Sequence, residues 1–123
     1  MAKLNARTFS HRGDAEGHYL AVIDRMAADA RYIDPTQAEV YLKKITEARE
    51  GGGELLAAEA SELGVPLDVL INSVFQQYGK RQQWIQAIEL DRVKAKAKVR
   101  KASTATEMHA ALKAFKQQLT LLQ

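Results

Sequence analysis

Apolar residues recur at alternating steps of four and three along residues 67–102. Leu67, Ile71, Val74, Tyr78, Ile85, Ile88, Ala95 and Val99 form one sustained seam on an α-helix. Unbroken, such a helix has about 36 residues and a length of about 54 Å, too long for a compact globule of this mass to bury throughout. Gly79 is its predicted weak point, because glycine inside a helix costs about 1 kcal/mol relative to alanine.

The same spacing predicts four further helices. Over 14–32, the positions Tyr19, Ile23, Met26, Ala30 and Ile33 make one stripe, with Asp24, Arg25, Asp29 and Arg31 largely outside it. The clearest start signal is Asp34 as N-cap, followed by Pro35 at the first helical position and Gln37 at the third. That helix covers 35–50, with Ala38, Tyr41, Leu42, Ile45 and Ala48 on its apolar face, and ends at Gly51, Gly52 and Gly53. A short helix over 54–63 stops at Gly64, and Val65 and Pro66 launch the long one. Thr104 and Glu107 have capping-box spacing for a last helix over 105–122, whose stripe is Met108, Leu112, Phe115, Leu119 and Leu122.

The turn before that last helix is short, so it should fold back antiparallel over the 80–102 half of the long helix as a helical hairpin. Residues 1–13 show no helical period and are expected to form a flexible N-terminal arm. The expected fold is therefore all-α and elongated, with a long central helix, a C-terminal helical hairpin and a single domain over 14–123.

Composition supports this class without naming an activity. There are no cysteines, only two prolines and 7% aromatic residues in 123 positions, so packing of helices has to hold the fold. The start MAKLNARTFSHRGD lacks the apolar region of a signal peptide, and no apolar run approaches the roughly 20 residues needed to cross a bilayer. A soluble intracellular protein with no membrane partner is expected. The net charge of +3 conceals an asymmetry: residues 80–101 hold eight basic and two acidic side chains, while the remainder is net acidic. Such bipolarity suits an acidic partner or head-to-tail contact between copies.

Several local patterns carry candidate chemistry. Ala60, Leu63 and Gly64 followed by a new helix match part of a helix-turn-helix corner. However, Glu54, Glu59, Glu62 and Asp68 would repel phosphates, and only Asn72 offers base-reading chemistry, so a structural corner is the favoured reading. Arg92, Lys94, Lys96, Lys98, Arg100 and Lys101 form a basic patch that could follow a phosphate backbone. Cations at a helix C-terminus also serve its dipole, and no aromatic residue lies among them to stack on bases. Trp84 is expected to bury where the last helix crosses, with a partner-subunit anchor as the alternative. Asp14 and His18 share helical ligand spacing, but a metal site needs three or four ligands. There is no nucleophile triad, and Gly51 to Gly53 lack the lysine and hydroxyl residue of a phosphate loop, so no catalytic, cofactor or metal residues are assigned.

The succession Leu55-Leu56-Ala57-Ala58-Glu59-Ala60, Gly64, Trp84, Ile88-Glu89, Arg92, Ala95-Lys96, Val99 and Ala102 resembles small helical proteins of the tail and virion-assembly regions of tailed bacteriophages and prophages. It spans about residues 41–122, and Val99 stands where that pattern has isoleucine. The resemblance implies a non-enzymatic virion component or assembly factor, present in the host cytoplasm during assembly and then in the virion. Its expected partners are copies of itself and other phage structural proteins, met through Trp84, Ile85, Ile88, Phe115, Leu119 and Leu122. The alternative is a nucleic-acid-binding protein, a helix-turn-helix-like regulator or genome-packaging accessory, using the basic helix.

Overall fold

The computed structural model describes residues 9–122. Five helices follow in order: α1 (Arg12–Ala30), α2 (Pro35–Arg49), α3 (Glu54–Leu63), α4 (Leu67–Lys101) and α5 (Ala105–Leu121). No strand occurs among the described residues, so the all-α class and the long central helix are as the hydrophobic spacing predicts. Gly79 is helical, and α4 runs through it for 35 residues. No helix among the described residues is long and apolar enough to cross a membrane.

The start and stop signals act locally. Asp34 Oδ1 accepts from the Thr36 and Gln37 amides at 2.9 and 3.2 Å, and Pro35 occupies the first turn. Gly64 takes a left-handed φ of 67°, which lets the Val65 amide reach Ala60 O at 3.1 Å and its own amide reach Ser61 O at 3.3 Å. This pair of bonds is the Schellman closure that glycine makes without a Cβ clash. At α5, Thr104 Oγ1 accepts from the Glu107 amide. The Glu107 carboxylate answers on Ser103 rather than on the N-cap residue itself, one position earlier than the capping box requires.

The chain gathers into two compact units, although the hydrophobic pattern reads as one domain over 14–123. One unit contains the chain through Tyr32 and from Trp84 onward; the other is Ile33–Gln83. They differ because the α4 seam feeds two apolar clusters with no shared member. In the first, Tyr19 and Ile23 of α1, Ile88 and Val99 of α4, and Met108 and Phe115 of α5 are fully buried. Small residues, Ala15, Ala27, Ala95, Ala102 and Ala111, fill the spaces between them. Such alternation of large and small lets helices approach closely and interdigitate. Both α1 and α5 lie antiparallel to this half of α4: Arg12 meets Ala102 while Asp24 meets Arg92, and Trp84 meets Leu122. The predicted helical hairpin of α4 and α5 is present, with α1 completing three helices.

Residues 1–8 of the expected flexible arm lie outside the described residues. Within 9–13 the expectation is corrected, because Phe9 packs against the first core and α1 already begins at Arg12. Arg12 explains the early start. Its guanidinium donates to Ala102 O at 2.6 and 2.9 Å and to Arg100 O at 2.8 Å, covering carbonyls that the end of α4 would otherwise leave open.

The second unit is built more thinly. Its cluster consists of Ala48, Leu56, Ala60 and Leu70, with Val65, Leu67, Ile71 and Val74 partly buried around it. α3 has no side-chain cap from its own N-cap residue, Gly53. Instead the buried Glu47 reaches across from α2, Oε1 accepting from the Leu56 amide at 2.9 Å and Oε2 from the Leu55 amide at 3.4 Å. A carboxylate at a helix N-terminus satisfies open donors and meets the positive end of the dipole. The fit also explains Gly53, where a Cβ would lie 2.5 Å from Glu47 Cδ.

Candidate functional site

Five of the six apolar residues expected to meet partners, all but Ile85, belong to or pack against the first unit's own core. Ile88 is 1% and Phe115 2% exposed, so neither can serve as a surface in the folded chain. Leu119 and Leu122 are partly buried against the same core, and Ile85 is half-buried. Trp84 is also partly buried, and its indole Nε1 donates to Leu122 O at 3.0 Å, tying the end of α5 to α4. The expected stripe therefore has its covering within the chain, because α1 and α5 together supply two faces where the sequence pattern had assigned one.

Exposed apolar surface lies elsewhere. Leu42 on α2 is 65% exposed, Leu63 at the end of α3 62%, and Val69 in the first turn of α4 51%. Tyr41, Phe75 and Tyr78 are exposed as well. All six belong to Ile33–Gln83. The reason is helix count: α2 and α3 are short and leave the outward sides of α2 and of the first part of α4 unpartnered. In the first unit Leu90 and Val93, three apart on α4, and Leu121 on α5 are also exposed.

The basic patch divides into structural and solvent-facing members. Arg92 donates Nη1 to Asp24 at 2.7 Å and pairs through Nε and Nη2 with Glu89 at 2.8 and 2.7 Å, while Arg31 reaches the same Glu89 at 3.2 Å. Lys96 Nζ lies 2.9 and 3.0 Å from the two Asp24 oxygens. Arg92 and Lys96 thus join α1 to α4 and are committed to carboxylates of their own chain. Lys94, Lys98, Arg100 and Lys101 are exposed.

This network links a small part of the stability to the ionisation of Glu89 and Asp24. The Arg92 guanidinium, with help from Arg31, holds the Glu89 carboxyl down from 4.5 to about 2. Lys96, then Arg92, lowers Asp24, and Arg92 is in turn raised, first by Glu89 and then by Asp24. Carboxyls lowered on folding stabilise the native state above their unfolded values, and that contribution is lost as pH falls through the folded ones. Thermal melts of wild type and Glu89→Gln should therefore differ at pH 7 and converge between about pH 4.5 and pH 2. A difference that stayed constant down to pH 2 would remove the ion-pair account. The carboxylate side chains are 41 and 46% exposed, so the gap at neutral pH will be small and will shrink with salt.

The remaining polar features are local. Tyr19 is fully buried; its hydroxyl lies 3.4 Å from His109 Nδ1, and burial pushes its pKa up. His18 packs against the rings of Phe9 and Tyr19. No group of three or more metal-ligating side chains occurs among the described residues. The Gly64 corner carries exposed Glu62 and Asp68 beside it.

The cleft richest in aromatic and aliphatic lining belongs to the second unit. It measures about 210 Å³ and lies between α2 and the first part of α4, lined by Tyr41, Ile45, Val74 and Tyr78, with Lys44 and Arg81 at its edge. The Arg81 guanidinium sits 5.8 Å from the Tyr41 ring centre, and that of Arg49 sits 5.4 Å from Tyr78. Lys44 is paired with Glu59 of α3 at 2.8 Å. Compared with known proteins, the chain matches no family model, no curated sequence and no solved structure.

Proposed function

We propose that this chain is a non-enzymatic assembly protein of a tailed bacteriophage, acting through helix-mediated contacts with copies of itself and with other structural proteins. The observation that carries the protein-contact part is the number of exposed large apolar side chains on Ile33–Gln83: Tyr41, Leu42, Leu63, Val69, Phe75 and Tyr78 are all exposed in a unit with a small core. Exposed apolar side chains in such number on one small unit support a surface that another protein covers. The phage setting, cytoplasmic during assembly and then in the virion, rests on the sequence resemblance over residues 41–122. The nucleic-acid alternative is less favoured, because Arg92 and Lys96 of its basic helix are held by Asp24 and Glu89.

Sedimentation of the purified chain tests the contact part. The mass should rise above 13.7 kDa as concentration rises through the micromolar range, and the melting temperature should rise with it. A mass fixed at one chain throughout would count against self-association. Mass spectrometry of purified particles tests the setting.

A further inference from the structure

We infer that the cleft between α2 and the first part of α4 receives the α3–α4 corner of a second copy of this chain. This rests on the self-association proposed above and names the surfaces that carry it. At about 210 Å³ the cleft is smaller than the roughly 300–1,000 Å³ of small-molecule pockets, and suits one or two inserted side chains. Its floor is apolar, and guanidinium groups lie over both of its tyrosine rings. A matching occupant is therefore apolar at its tip and acidic around it.

The α3–α4 corner has that chemistry. Leu63 precedes and Val69 follows the Gly64 turn in the chain, both exposed, and each has an exposed carboxylate, Glu62 or Asp68, next to it in sequence. Residues 54–68 hold four carboxylates and no lysine, arginine or histidine, and one of the four, Glu59, is engaged by Lys44 of its own copy. The Schellman closure at Gly64 holds the corner in one shape, which lowers the conformational entropy lost on docking.

A copy cannot insert its own corner. Val69 and Tyr78 are nine residues apart on one continuous helix, about 13 Å. Corner and cleft are thus different patches, and their pairing is heterologous: each added copy presents a fresh cleft and a fresh corner, and growth ends only if a ring closes.

Charge reversal on the two sides tests this. One variant carries Arg49→Glu with Arg81→Glu in the cleft; the other carries Glu62→Arg with Asp68→Arg at the corner. Each alone should weaken self-association by about tenfold or more, since like charges then face each other. An equimolar mixture should regain it, because the acidic cleft of one accepts the basic corner of the other and the reverse. Leu63→Gln, at a solvent-facing position, should weaken association with an unchanged helical circular dichroism spectrum. Association that both reversals leave undiminished, or that the mixture does not restore, overturns the corner-in-cleft contact while leaving self-association standing. A wild-type chain that stays monomeric throughout removes both.

Discussion

Leu56→Ala is expected to lower the stability of the Ile33–Gln83 unit by about 2–5 kcal/mol, and toward the upper end of that range. Leu56 is fully buried, and its buried cluster partners are Ala48, Ala60 and Leu70, two of which are already single methyl groups. Truncation therefore removes one of the two leucines of the cluster, the more deeply buried one, and leaves few neighbours able to collapse into the space. The loss should be local, because the cluster around Tyr19 and Ile23 shares no residue with it. Native-state hydrogen exchange reads this directly: amides of α2 and α3 should lose protection while those of α1 and α5 keep theirs. The matched change Leu112→Ala, in the first core, should reverse the pattern. Equal loss of protection in all five helices would show that the two clusters open as one.

How much of this architecture can be read without coordinates follows from the range of each interaction. Asp34, Pro35 and Gln37 announce α2 because the donors they satisfy are two and three residues away. Gly64 and Thr104 are legible for the same reason, and the helical seams need only a periodicity of one turn. The Glu47 cap is less accessible, since it crosses a three-glycine turn to amides eight and nine residues on. A hint existed in Gly53, which leaves α3 without a capping side chain of its own. The burial of Ile88 and Phe115 within the expected partner stripe is hidden for a different reason. Periodicity shows that Ile88 and Phe115 must be covered, and says nothing of whether the cover is α1 of the same chain or another molecule. The alanines Ala15 and Ala27, spaced around Tyr19 and Ile23, are the signal that α1 packs closely enough to supply it. The ion pairs of Asp24 and Arg92 are 68 residues apart in sequence and depend wholly on that packing.

Arg12→Met should destabilise the three-helix unit by about 2 kcal/mol, and lower its melting temperature by about 8–16 °C on the scale for domains of this size. The side chain is 41% exposed, which places the effect below that of a fully enclosed charged donor. What raises it above an ordinary surface arginine is the acceptor set, the carbonyls of Arg100 and Ala102 where α4 ends and the chain turns into α5. Those oxygens carry the negative end of a 35-residue helix, and a guanidinium fork can meet two of them at once. Methionine keeps the aliphatic stem and removes both charge and donors. Arg12→Lys keeps the charge but presents a single ammonium, so it should fall between methionine and wild type. If lysine matches wild type, charge at the helix terminus is the whole effect; if lysine matches methionine, the paired hydrogen bonds are. A methionine variant as stable as wild type would mean that Arg12 does not hold α1 to the α4–α5 turn, and the early start of α1 would need another cause.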